Sequence, residues 1–153
     1  MRSYCGYAAT QFALISMLCG PSALAADKAE KLLKQHGTAS YYSDGPSHKR
    51  TANGSAYHGD ELTAASPTLP LGCKAKIVNR TNGKSVVVRV TDRGPHKRGR
   101  IIDVSQKAAD QLGMKNAGLA SVEVQARPSE QPTPALRREI AEKAAYQERA
   151  KIN

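Results

Sequence analysis

Residues 74–91 constrain the fold of this chain more than any other stretch. Two runs, 74–80 and 84–91, flank Thr81-Asn82-Gly83. Asn-Gly between apolar runs predicts a β-hairpin, because its turn needs positive φ and these residues adopt it most readily. In the second run Val86, Val88 and Val90 make a uniformly apolar face, while Val87 and Arg89 make a mixed one. That period of two suits a strand in a closed barrel. Further strands are expected at 38–42, 101–104 and 121–127, where Val122 and Val124 alternate with Ser121, Glu123 and Gln125. Ser105 predicts an N-cap for a helix over 106–112, with Ala108, Ala109 and Leu112 on one face and Gly113 ending it.

The flanks read differently. Arg2 is the only charged residue before Asp27; an apolar run over 7–18, Gly20-Pro21 and Ala23-Leu24-Ala25 complete the pattern of a secretory signal peptide, with cleavage expected after Ala25. The run is shorter than the about 20 apolar residues a membrane span needs, so no stable insertion is expected after cleavage. Cys19 follows the bulky Leu18, which disfavours lipid anchoring there, so a periplasmic or secreted product is expected. Residues 26–36 are expected to be a short leader, helical from Asp27 to His36 and stopped by Gly37. The globular domain is placed at 37–127. Residues 128–153 are expected to be a linker marked by Pro128, Pro132 and Pro134, then a helix capped by Thr133. Its apolar stripe of Leu136, Ile140 and Ala144 is thin, which predicts a solvated helix.

Charge narrows the partners. Of 153 residues, 23 are Lys or Arg and 13 are Asp or Glu, a formal net charge of +10. Such an excess favours a polyanionic partner, while the leader and the lack of a recognition helix argue against nucleic acid. Of three cysteines, only Cys73 follows the leader, so no intramolecular disulfide is expected and Cys73 reads as a small buried hydrophobe. His48, His58 and His96 lie in polar loops without metal-ligand spacing, so no metal and no cofactor is expected.

The residues most suited to chemistry cluster in Thr91-Asp92-Arg93-Gly94-Pro95, with Arg98, Arg100 and Asp103 downstream. An Asp where a buried strand runs out can face a cleft and serve as a general acid, with arginines orienting it or binding an anion. It can equally organise the Gly94-Pro95 turn. Tyr41, Tyr42 and Tyr57 flank the long loop over 43–61 and can stack on sugar rings or cap a barrel.

Several motifs in one order carry a resemblance: Gly-Thr-Ala-Ser-Tyr-Tyr at 37–42, Thr-Ala-Asn-Gly at 51–54, Leu-Thr-Ala-Ala at 62–65, Thr-Leu-Pro-Leu-Gly at 68–72, the run from Val78 through Asp92-Arg93-Gly94-Pro95, and Gly-Arg-Ile-Ile-Asp-Val-Ser at 99–105. Together they resemble the rare lipoprotein A family over 37 to about 126. The resemblance implies a mainly β fold, a six-stranded double-psi β-barrel with short helices and a helical C-terminal tail. It also implies endolytic transglycosylase action on peptidoglycan strands poor in stem peptides, which leaves 1,6-anhydro-N-acetylmuramic acid ends. It makes Asp92 the catalytic candidate, and Tyr42, Asn53, Ser55, Tyr57, His58, Arg93 and Arg100 the substrate-binding candidates. Cell-division or envelope proteins are the partners expected for the tail. Three positions depart from the family: Ser55 stands where it usually has Glu, Ser66 where it usually has His, and Tyr41 where an aromatic pair usually includes Trp. The residues after Pro128 are too few for the family's C-terminal peptidoglycan-binding repeat domain, so no counterpart of it is expected among them. A catalytically inactive, expansin-like glycan-binding module is therefore the alternative reading, and His58, Asp60 and Glu61 are the neighbours able to replace the missing groups.

Overall fold

The computed structural model describes residues 30–42 and 50–152. The proposed leader over 1–25, Cys19 and His48 lie outside them.

Six strands close into a barrel: β1 (Leu33–Tyr41), β2 (Thr63–Ala65), β3 (Lys74–Asn79), β4 (Ser85–Asp92), β5 (Arg100–Val104) and β6 (Leu119–Ala126). Around the barrel the order is β1-β5-β2-β4-β3-β6, with β6 returning to β1. The β1–β5 and β2–β4 pairs are parallel and the other four antiparallel. Val86, Val88 and Val90 point inward at 5% exposure or less, while Val87 is 49% exposed, so the alternation written in the sequence is the pleat of β4. Ile77, Ile102, Val104, Val122 and Val124 complete the interior. Cys73 is fully buried, and burial pushes its thiol up to about 12, which leaves it a packing residue.

The β3–β4 turn is one residue longer than Thr81-Asn82-Gly83. Asn79 N donates to Lys84 O at 2.8 Å and Gly83 N to Asn79 O at 2.8 Å, so residues 80–83 form the loop. Gly83 sits at φ +74, and a β-carbon there would meet nothing within 4 Å. The cost of a β-branched side chain at this point is then conformational alone. Gly83→Val is expected to destabilise the barrel by about 1–2 kcal/mol, seen as a lower melting temperature. An unchanged melting temperature would remove the positive-φ requirement from the turn.

Helix α1 (Gln106–Gln111) starts where Ser105 Oγ accepts from Ala108 N at 3.3 Å. Its far end is held by the turn: Asn79 Nδ2 and Asn82 Nδ2 each donate to Leu112 O at 3.0 Å. These amides satisfy a terminal carbonyl that lacks an intrahelical donor.

Two expectations change. Residues 33–36 are not the end of a leader helix; they are the first half of β1, running through Gly37 without a break. Leu33 to Ser40 pair in register with Ala126 to Leu119 of β6. Nine residues of ladder and the burial of Leu33 outweigh a weak local helix preference. Gly37 is required by packing rather than as a helix stop, because a β-carbon there would lie 2.6 Å from Ile101 Cγ2.

The C-terminal helix α2 (Pro134–Ala150) is also not a solvated tail. Thr133 Oγ1 accepts from Leu136 N at 3.3 Å, as the sequence predicts. Ile140 is 0% and Ala144 3% exposed, both in the main core cluster. The segment before α2 is clasped to the barrel by Gln131. Its Nε2 donates to Lys74 O at 3.0 Å and Arg127 O at 2.8 Å, and its Oε1 accepts from Lys74 N at 2.8 Å. A thin stripe suffices because those few side chains have a ready-made apolar surface to cover. Among the described residues, no helix is long and apolar enough to cross a membrane.

Candidate functional site

The apolar alternation of β4 carries the chain to the barrel rim and leaves Asp92 at the strand's end, half-buried. Asp92 Oδ1 accepts from Ala52 N at 2.9 Å and from Arg93 N at 2.8 Å. The loop carrying Thr-Ala-Asn-Gly is stitched to the same point, where Asn53 N donates to Thr91 O at 3.1 Å. Inside that loop Asn53 Oδ1 accepts from Thr51 Oγ1 at 2.6 Å and Ser55 N at 3.0 Å. Motifs some 40 residues apart in sequence thus share one hydrogen-bonded junction. Asp92 thus organises this junction through Ala52 and Arg93 while its carboxyl stays half-buried at the rim.

Tyr42 stands over this junction. Its backbone N donates to Val104 O at 3.0 Å, and its ring lies against that of Tyr57 with centroids 5.1 Å apart. Burial, then the negative charges of Asp92 and Asp103, push the Tyr42 phenol well above its ordinary range. It therefore remains protonated beside the Asp92 carboxylate. Asp103 is the second carboxylate of the cluster. Ser40 Oγ donates to its Oδ1, and Arg100 lies 3.8 Å from its Oδ2. Arg100 Nε is buried and has no hydrogen-bond partner among the described residues.

Beside this cluster lies a cleft of about 360 Å³, lined by Asn53, Ser55, Tyr57, His58, Glu61 and Arg89 among others. Its size falls in the range of small-molecule sites, about 300–1,000 Å³. Four nominated residues, Asn53, Ser55, Tyr57 and His58, meet there, while Asp92 adjoins it through its neighbour Thr91. Glu61 is set in place from its backbone: Ser105 Oγ, the cap of α1, donates to Glu61 O at 2.6 Å.

Other nominated groups go elsewhere. Arg93 Nη1 donates to Ser66 O at 3.1 Å and Leu69 O at 2.6 Å, so it braces a turn. Ser66 is fully buried, and its Oγ accepts from Thr68 N at 3.4 Å and Leu69 N at 3.2 Å. Its backbone N donates to Asp92 O at 3.1 Å, so the position adjoins Asp92 while its hydroxyl serves the turn. Tyr41 packs on the core, His96 and Arg98 are exposed, and no group of described residues is placed to hold a metal. Asp103 reads from the sequence as part of the Asp92 cluster and Glu61 as a neighbour able to replace the family's missing groups, and the structure puts Glu61 in the cleft. The sequence does not single out Arg89, because it enters the site only through barrel closure.

A double-psi β-barrel family model described as lytic transglycolase matches residues 34–124. An endolytic peptidoglycan transglycosylase RlpA of Rickettsia felis is 48% identical over 103 residues, covering 65% of this chain and 45% of that protein. The protein of the same name from Neisseria meningitidis serogroup A is 45% identical over 91 residues, covering 60% of this chain and 38% of that protein. The chain thus spans less than half the length of these two curated relatives. Among solved structures, the Streptomyces papain inhibitor aligns with a TM-score of 0.49 at 22% identity, over 62% of this chain and 96% of that one.

Proposed function

The chain belongs to the lytic transglycolase family, and from that membership we propose that it is an endolytic peptidoglycan transglycosylase acting on glycan strands poor in stem peptides. It cleaves between N-acetylmuramic acid and N-acetylglucosamine and leaves 1,6-anhydro ends. Action on the wall places it outside the cytoplasm, in the periplasm or secreted. The observation that carries this reading is the junction at Asp92, where the strand end, the Thr-Ala-Asn-Gly loop and the Tyr42 hydroxyl converge beside a polar cleft.

Cleavage without water needs a proton delivered to the leaving oxygen and one removed from the sugar hydroxyl that closes the ring. Asp92 is the group assigned to both transfers. The Ala52 and Arg93 N–H groups hold its carboxyl in place, and the Tyr42–Tyr57 pair beside it offers faces for sugar rings. Glu61 and His58 bring a carboxylate and an imidazole to the cleft that Ser55 lines, where the family's Glu is missing.

Incubation with amidase-stripped glycan strands, followed by mass spectrometry, tests the proposal. Release of anhydro-muramyl fragments is the expected result. The second reading, a glycan-binding module, is favoured by Ser55 and by the buried, turn-committed Ser66. Glycan binding without anhydro products would establish that reading and overturn the first.

A further inference from the structure

Arg89 projects from the centre of β4. Its backbone N donates to Leu62 O at 2.9 Å, and it pairs with Thr63 of β2 on one side and Lys74 of β3 on the other. Directly opposed residues of an antiparallel pair share a face, so Arg89 and Lys74 set two positive charges side by side, an arrangement that costs stability when nothing neutralises it. No described residue does so. Both side chains are exposed, and neither makes a hydrogen bond or ion pair among the described residues. Glu61 lines the same cleft as Arg89 without pairing with it. Among the described residues the guanidinium is thus left in a concave, polar site with its planar donor fork unused.

We propose that Arg89, reinforced by Lys74, is the element of the cleft that recognises a carboxylate carried on the glycan. This rests on the peptidoglycan reading above and names the chemistry it selects. A muramic acid bearing a stem peptide has its lactyl group tied up as a neutral amide. Once the peptide is removed, the same group is a free carboxylate, one per disaccharide. A guanidinium binds a carboxylate through two parallel hydrogen bonds and cannot do so with an amide, so Arg89 reads whether the sugar is bare. The sugar's hydroxyl and acetamido groups fall to Asn53, Ser55 and Tyr57 on the other walls.

Calorimetric titration of the full chain with three tetrasaccharides tests this. The first is peptide-free and alternates N-acetylglucosamine with N-acetylmuramic acid. The second is the same molecule with its lactyl carboxylates converted to amides. The third is chitotetraose. The wild type is expected to bind the first about tenfold or more tightly than the other two, the scale of a charge-assisted hydrogen bond. That gap should narrow as sodium chloride is raised. Arg89→Gln is expected to close the gap while chitotetraose binding persists, which also reports that the variant is folded. Equal wild-type affinity for all three sugars overturns the assignment and leaves the glycan reading standing, as does a gap that survives Arg89→Gln. Binding to none of them overturns both.

Discussion

Asp92→Asn is expected to lower the release of anhydro-muramyl products by about 100- to 10,000-fold, the range that a positioned acid–base group contributes. The barrel should survive the change. Asp92 Oδ1 accepts two backbone N–H groups, from Ala52 and Arg93, and an asparagine carbonyl oxygen accepts the same two. What asparagine cannot do is take up and return a proton. Circular dichroism and glycan binding close to wild type, together with the loss of products, would assign the proton transfers to Asp92. Turnover that persists in Asp92→Asn would move them to another group, and Glu61 in the adjacent cleft is then the residue to replace. Restored cleavage by Ser55→Glu in a wild type that releases nothing would show that the loss of the family's carboxylate had silenced the site.

The largest effect on stability is expected from Ile140→Ala, at about 2–5 kcal/mol. Ile140 is 0% exposed and sits in the core cluster with Leu33, Ile77 and Val124, so shortening it removes buried surface and leaves a void beneath α2. Tyr146 on the same helix is 74% exposed, and Tyr146→Ala should change stability by no more than about 0.5 kcal/mol. Urea unfolding of the two variants checks the contrast. Equal and small effects would mean that α2 contributes little to the folded barrel.

Much of the barrel was legible in the residues because its signals are local. The alternation of Val86, Val88 and Val90 specifies a strand with one buried face from five consecutive positions. Ser105 and Thr133 announce their helices because a capping hydroxyl bonds a backbone N–H three residues on. Gly83 marks its turn through a backbone angle that any side chain would resist. The Asp92 element stood out for the same reason, as the end of an apolar run followed by a turn.

Other features depended on partners that sequence distance hides. Residues 33–36 have no strong preference of their own, and they became strand because β6, more than 80 positions later, offers a matching ladder. Ile140 and Ala144 looked like a stripe too thin to bury until the barrel supplied the surface beneath them. Arg93 drew notice beside Asp92, and only the folded chain shows that its Nη1 braces the carbonyls of Ser66 and Leu69. Arg89, one of many basic residues in the chain, became distinguishable when closure put it in a cleft with Asn53, Tyr57 and Glu61. The sequence by itself determined the β3–β4 hairpin, the inward face of β4 and the two capped helices, and it singled out the Asp92 element, since periodicity and capping act within a few residues. Only the tertiary structure decided which side chains share a cleft and which are consumed in holding it, because those choices follow from barrel closure, which brings together segments that local sequence cannot relate.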